Sequence, residues 1–233
     1  MNIKELKNYL QEYEISCSDE QLNLLNLFMK CTLETNVKFN LTAITNEEQF
    51  VEKMIFDSAL ALYDLDISNK KIIDIGTGAG YPGMVLKILE PKADVYLLDS
   101  TAKKIKYLEE FAMANNIQIQ GVVARAEDYA RSHIEAFDYA TARAVAALNV
   151  LLELIVPLLK VGGTFIAMKG AGYEKEIQDS QNALKKLNCR IESIEEFELP
   201  ESKESRAIIR IVKEKPTNKK YPRQYNEIKK LPL

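Results

Sequence analysis

Residues 72–83 read IIDIGTGAGYPG. An apolar run carries one aspartate, three glycines follow at alternate positions, and a proline precedes a fourth glycine. Glycines at this density let a chain turn sharply at the end of a strand and bring its backbone against a ligand that any Cβ would hold off. The stretch reads as a strand-end loop that holds a nucleotide.

Gly78, Gly80 and Gly83 also satisfy the dinucleotide fingerprint G-x-G-x-x-G, so the glycines do not separate NAD from other adenosine ligands. Asp74 does. A pyrophosphate seeks backbone amides and a helix N-terminus, both partially positive, and a carboxylate two residues before the first glycine opposes it. S-adenosylmethionine has no phosphate and carries a cationic end that Asp74 can attract directly or through water, so that cofactor is the better fit.

Outward from the loop, short apolar runs alternate with helical stretches. The runs are KIIDI, DVYLLD, residues 117–124, residues 137–142 and GGTFIAMK; helices are expected over 82–89, 102–115 and 147–159. Such alternation predicts right-handed βαβ units, a parallel sheet with helices on both faces, and ligands at the carboxyl ends of the strands. After a helix near 173–187, IESIEEFEL and RAIIRIVKE are separated by too few residues for a crossover helix, so the pair should be antiparallel. A seven-stranded, mostly parallel sheet closed by an antiparallel last strand is the architecture of class I S-adenosylmethionine-dependent methyltransferases. It is not that of a plain Rossmann dehydrogenase.

Before the sheet, helical spacing over residues 1–35 predicts two amphipathic helices, and Asn46 can cap a third with Phe50, Val51, Met54, Ile55 and Ala59 on one face. The expected organisation is a helical segment over 1–66, a methyltransferase core over 67–214 and a basic tail over 215–233. With 233 residues and 47% hydrophobic composition, the chain can bury one substantial core. Charge is uneven: residues 1–66 hold five Lys/Arg against twelve Asp/Glu, and residues 213–233 hold seven against two. Tyr221 and Tyr225 interleave with the basic tail, which can lie along phosphates and stack on a base, or be a solvated tail. Neither a signal peptide nor a long apolar span is present, so a cytoplasmic monomer is expected, with no membrane and no metal. Cys17, Cys31 and Cys189 are too widely spaced for a disulfide framework or zinc site and read as free thiols.

Site residues follow from the topology. Asp99 ends the second strand, nineteen residues after Gly80, where a carboxylate can accept from both ribose hydroxyls. Ala126 and Glu127 follow the third strand, where backbone groups can frame adenine, and Tyr81 can pack on the cofactor. The fourth strand ends in TARAVAAL, with neither the Asn/Asp-Pro-Pro-aromatic motif for an exocyclic amine nor a Pro-Cys for a pyrimidine ring. Arg143 stands there instead. A guanidinium binds phosphate or a guanine's Hoogsteen edge but takes no proton at neutral pH, which suits an acceptor with a ready lone pair. Its alternative is a structural ion pair. His133 lies in a polar stretch, and Lys169 can touch RNA or cap a loop.

FNLTAIT, DIGTGAGYPG, LLDSTAKKIKYLEE, RAED, TARAVAAL, AMKG and the terminal KKYPR together resemble the RsmG family, also called GidB, over nearly the whole chain. The resemblance implies methylation of N7 of a guanine in the 530 loop of 16S ribosomal RNA, on naked RNA or the small ribosomal subunit. By position it places cofactor contacts at Gly76, Tyr81, Ala126, Glu127 and Arg143, with Asp99 and Ser100 at the ribose. Two departures stand out: Met54 where the family commonly has histidine, and Gln224–Glu227 where it commonly has Pro-Gly-x-Pro. The competing readings are an NAD-dependent dehydrogenase, for which the chain offers one histidine and no Tyr-x-x-x-Lys pair near a strand end, and a non-catalytic RNA-binding module.

Overall fold

Two capping boxes start the chain. Asn2 accepts from the Glu5 backbone N–H while the Glu5 side chain accepts from Asn2, launching α1 (Ile3–Glu12). Ser18 and Gln21 repeat the arrangement for α2 (Asp19–Phe39). Asn46 caps a third run as expected: α3 (Glu47–Phe50) passes through a π-helical turn, Val51–Phe56, into α4 (Asp57–Ala59). Phe50, Val51, Ile55 and Ala59 are buried, whereas Met54 lies half-buried.

The structure, a computed structural model, describes residues 1–233 and arranges seven strands in the order β3-β2-β1-β4-β5-β7-β6. These are β1 (Lys71–Ile75), β2 (Asp94–Asp99), β3 (Gln120–Val123), β4 (Phe137–Arg143), β5 (Leu159–Gly170), β6 (Cys189–Glu198) and β7 (Ser205–Lys213). β1 to β5 pair in parallel, and β7 enters antiparallel between β5 and β6. Strand order reverses where β4 leaves the far side of β1, opening a crevice at the carboxyl ends of those two strands.

Alternation along the strands sorts the core into two layers. Ile72, Leu97, Ile166 and Ile208 face α1, α2, the third run, α5 (Gly83–Leu89) and α6 (Ala102–Ala114) in one apolar cluster. Ile73, Leu98, Phe165 and Ile209 face the other, with α7 (Ala126–Ser132), α8 (Leu148–Ile155), α9 (Tyr173–Asp179) and α10 (Gln181–Lys186) on that side. No helix is long and apolar enough to cross a membrane. No group of three or more His, Cys, Asp or Glu side chains is placed to hold a metal ion, and all three cysteines are free thiols.

Three expectations change. The strand expected from residue 117 begins at Gln120, because Asn116 takes a left-handed conformation and the Ile117 N–H returns to the Ala112 carbonyl at 2.8 Å, closing α6 with a Schellman cap. The helix expected over 173–187 breaks at buried Ser180, whose hydroxyl donates to the Glu176 carbonyl four residues back at 2.6 Å.

The basic tail is folded, and its ring at Tyr221 is not available to a base. β7 ends beside the start of β6, with Cys189 opposite Lys213, so the tail leaves at the edge of the sheet opposite the glycine loop. Tyr221, Pro222 and Ile228 are buried, Tyr225 is half-buried, and α11 (Tyr225–Lys230) packs in the second apolar layer. Arg223 clamps this segment. Its Nε and Nη2 donate to the two carboxylate oxygens of fully buried Glu153 on α8 at 2.8 and 2.6 Å, and its backbone N–H adds a third bond at 2.9 Å.

Candidate active site

The loop after β1 owes its shape to its glycines and to one carboxylate. Gly76 and Gly78 have φ of +69° and +58°, a conformation L side chains rarely adopt, and a Cβ on Gly76 would lie 2.7 Å from Val145. Gly80 shares the left-handed conformation, with φ of +95°, and it and Gly83 also leave no room for a side chain. A Cβ on Gly80 would strike Leu108 and Phe28, and one on Gly83 would strike Leu97 and Asp74. The Cβ side of Gly80 is therefore closed by packing, and Gly80 is not among the residues that line the cavity.

Asp74 also turns inward. Its Oδ2 accepts from the Thr77 hydroxyl at 2.7 Å and the Gly83 N–H at 2.9 Å, while Oδ1 is buried with no hydrogen-bond partner. The carboxylate braces both ends of the turn rather than lining the main cavity, and only Oδ1 remains for a ligand's cationic end. Burial pushes its pKa up from 3.8 to about 6, against the lowering effects of Thr77, Gly83 and Arg143. Because the folded pKa lies above the unfolded one, this group's contribution to stability is full below pH 4 and is lost as pH rises to about 6, amounting to about 3 kcal/mol. Asp74→Asn preserves one acceptor oxygen and removes the ionisation. Thermal melts of the ligand-free variant should exceed wild type at pH 7 and converge with it near pH 4, while affinity for S-adenosylmethionine drops about tenfold or more with the lost charge. A variant that melts below wild type at pH 7 would contradict the desolvation argument.

Asp99 closes β2 behind the loop. Oδ2 accepts from the Gly78 N–H at 3.1 Å, Oδ1 from the Thr101 N–H at 2.8 Å, and Lys104 lies 3.6 Å from Oδ2. Each oxygen accepts one backbone N–H and so retains acceptor capacity. Ser100 is exposed beside it, and Ala126 and buried Glu127 open α7 at the carboxyl end of β3. Asp99, Ser100, Ala126 and Glu127 share the strand-end edge but lie outside the lining of the main cavity.

That cavity, about 840 Å³, sits at the strand-order reversal. Gly76, Thr77, Gly78 and Tyr81 form its floor; Arg143 and Val145 come from the end of β4, and Arg206 from the start of β7. Such a volume suits a cofactor-sized ligand. Tyr81, joined to Pro82 by a cis peptide, is buried, stacks on Phe28 at 5.0 Å between ring centroids, and carries the Arg143 guanidinium 5.9 Å from its own. Its hydroxyl lies 3.4 Å from Thr32 on α2, and burial drives its pKa well above 10. Tyr81 therefore provides an apolar wall that carries no charge at neutral pH.

Arg143 is held by the third helical run. Nη1 donates to the Lys53 carbonyl at 2.9 Å and to Asp57 at 3.4 Å, and Nη2 reaches the Met54 thioether at 3.2 Å. The π turn presents the Lys53 carbonyl and Met54 to the guanidinium and the start of α4 presents Asp57, and Met54 is a weaker acceptor than an imidazole nitrogen. Asp57 also accepts from Arg206 Nε at 3.2 Å, and Glu204 pairs with both Arg206, at 2.8 Å, and Lys53. Arg143 is thus ion-paired and also lines the cavity. Asp57, Arg206 and Lys53 were missed from sequence. Lys169 caps a loop, donating to Glu176 at 2.7 Å and the Ala146 carbonyl at 3.0 Å. His133 stacks on Tyr129 on α7, away from these residues.

The residues present fit S-adenosylmethionine: an unpartnered buried carboxylate oxygen below a left-handed glycine turn, and a second carboxylate at the next strand end. The fold and this strand-end site define the class of S-adenosylmethionine-dependent methyltransferases. Among solved structures the chain is similar to M. jannaschii TYW2 in complex with AdoMet (TM-score 0.58, 16% identity, covering 73% of this chain and 79% of that one). It is also similar to a TehB-like SAM-dependent methyltransferase of Corynebacterium glutamicum (TM-score 0.50, 18% identity, 68% and 88%). The family model for rRNA small subunit methyltransferase G, GidB, matches residues 21–208. Ribosomal RNA small subunit methyltransferase G of Bacillus cytotoxicus is 41% identical over 100% of this chain and 99% of its own, and that of Desulfitobacterium hafniense 44% identical over 96% and 94%. The chain belongs to the rRNA small subunit methyltransferase G family. That membership sets the dehydrogenase reading aside.

Proposed function

We propose that this chain transfers a methyl group from S-adenosylmethionine to N7 of a guanine in the 530 loop of 16S ribosomal RNA, in line and without a general base. The observation that carries the reading is the charge state of the cavity wall. All three carboxylates that line it are engaged: Asp57 by Arg143 and Arg206, Glu204 by Lys53 and Arg206, and Glu176 by Lys169. No histidine or cysteine lines the cavity. An exocyclic amine or a carbon nucleophile would need a proton removed or a covalent partner, whereas a purine ring nitrogen offers its lone pair directly.

S-adenosylmethionine supplies a methyl group on a sulfonium centre that such a lone pair can displace. The protein's part is alignment and exclusion of water. Asp74 and Asp99 hold the glycine turn and offer their free lone pairs to the cofactor's cationic and ribose ends. Tyr81 presents an apolar, uncharged face to the cavity. Arg143 and Arg206 keep N–H donors for a guanine oxygen or the adjoining phosphate, and neither gives up a proton at neutral pH.

Incubation with methyl-labelled S-adenosylmethionine and either 16S ribosomal RNA or small ribosomal subunits should deposit label as 7-methylguanine. Label at a pyrimidine or an exocyclic amine would overturn the reading. Cofactor binding without transfer to any ribosomal particle would favour the non-catalytic module.

A further inference from the structure

At the last turn of α2 the chain exposes apolar surface where an amphipathic helix has no reason to. Val37 is 88% exposed and Phe39 39% exposed, and α2 ends there because Asn40 turns left-handed. Lone exposed apolar residues are ordinary, but these begin a strip that continues through Leu41 and Ile44 into the wall of the cavity. The strip is held in place. Asn36 Oδ1 accepts from the Thr42 N–H at 2.9 Å, and the Thr42 hydroxyl accepts from the Ile44 N–H at 3.1 Å.

The ring of Phe39 has a cation over it. Lys103 Nζ, from the first turn of α6, lies 5.2 Å from the ring centroid. The opening of α6, Ala102–Lys106, carries Lys103, Lys104 and Lys106 and no acid, and Lys38 adds a fourth cation in the last turn of α2. The nearest acidic residues on these two helices are Glu34, one turn back on α2, and Glu109 and Glu110, further along α6. Lys104 pairs with Asp99 at 3.6 Å and Lys106 with Glu110 at 3.8 Å, whereas Lys38, next to Phe39 in the chain, and Lys103, over its ring, have no carboxylate partner. An aromatic face bordered by cations is the arrangement that binds single-stranded nucleic acid, with a base on the ring and phosphates on the lysines.

We infer that Phe39, with Lys38 and Lys103, is a stacking platform for an unpaired base of the RNA, adjacent to the nucleotide whose guanine enters the cavity. This deepens the proposed function and rests on it. The platform selects an unstacked loop over a duplex, because only a splayed base offers its face. The lysines alone would bind any phosphate backbone. The ring adds a requirement for a base.

The chain contains no tryptophan, so Phe39→Trp introduces a single indole at the platform. Titration with a short unstructured oligoribonucleotide should quench its fluorescence, and the abasic oligomer of equal length should not. In parallel, Phe39→Ala should raise KM for 16S ribosomal RNA by roughly 5- to 100-fold, the range of one base–aromatic stack, with S-adenosylmethionine affinity unchanged and Phe39→Tyr close to wild type. An indole that ignores the oligomer, or is quenched equally by the abasic one, overturns the platform, as does an unchanged KM in Phe39→Ala. A wild-type enzyme that labels no ribosomal RNA defeats the proposed function instead, and the fluorescence titration still judges the platform.

Discussion

Arg223→Ala is expected to destabilise the protein by about 3–5 kcal/mol, because it leaves the fully buried Glu153 carboxylate without its cation. Arg223 supplies both carboxylate contacts and a backbone bond, and its Nη2 also donates to the Leu231 carbonyl at 3.0 Å, so one side chain ties α8 to α11. At this chain length the melting temperature should fall by roughly 10 °C. Pairing the change with Glu153→Leu should recover much of the loss, since the buried charge goes with its partner. Alanine at exposed Lys219 or Lys230 should leave the melt where it is. A single variant that melts with wild type would mean that water reaches Glu153 and that the clamp contributes nothing.

Asp57→Ala should produce the largest loss of activity for a residue outside the glycine loop. Asp57 is the only carboxylate bonded to both cavity guanidiniums, 3.4 Å from Arg143 and 3.2 Å from Arg206. Without it two positive groups face each other across a half-buried wall, and Arg143 retains only the Lys53 carbonyl and a thioether. Displacement of a positioning group by about an ångström can cost on the order of 100-fold in rate, and a loss of that size is expected in kcat/KM for the RNA. Asp57→Asn keeps an acceptor and should retain an intermediate rate. Affinity for S-adenosylmethionine, read separately by calorimetry, should change far less than the rate. Equal losses in both would place Asp57 at the cofactor rather than the acceptor.

The sequence settled the architecture because the forces that set it are periodic. Alternate residues of β1, β2, β5 and β7 divide between two apolar layers, and the short connection before RAIIRIVKE leaves only an antiparallel return. The glycine loop, Asp99 and Arg143 were legible for the same reason: topology puts them at strand ends, and strand ends are where this fold keeps its ligands. Other features were invisible, since they depend on which groups meet across long separations. Nothing in its spacing shows that Asp74 turns one carboxylate oxygen beneath its own loop, onto Thr77 and Gly83. Gly80 is also packed against Phe28 and Leu108, which the fingerprint does not show. The tail looked free and is clamped, because its cation finds a buried anion seventy residues earlier in the chain.

For this protein, then, local pattern determined the elements, their order and the edge of the sheet where chemistry occurs. Only the tertiary structure decided how the charges at that edge are spent. Lys53, Asp57, Arg143, Glu204 and Arg206 come from a helix, a strand end and a hairpin far apart in sequence, and their pairing is what leaves the cavity without a base. Hydrophobic periodicity is written residue by residue, whereas the partner of a buried charge is fixed by distance in space, and no spacing along the chain encodes that.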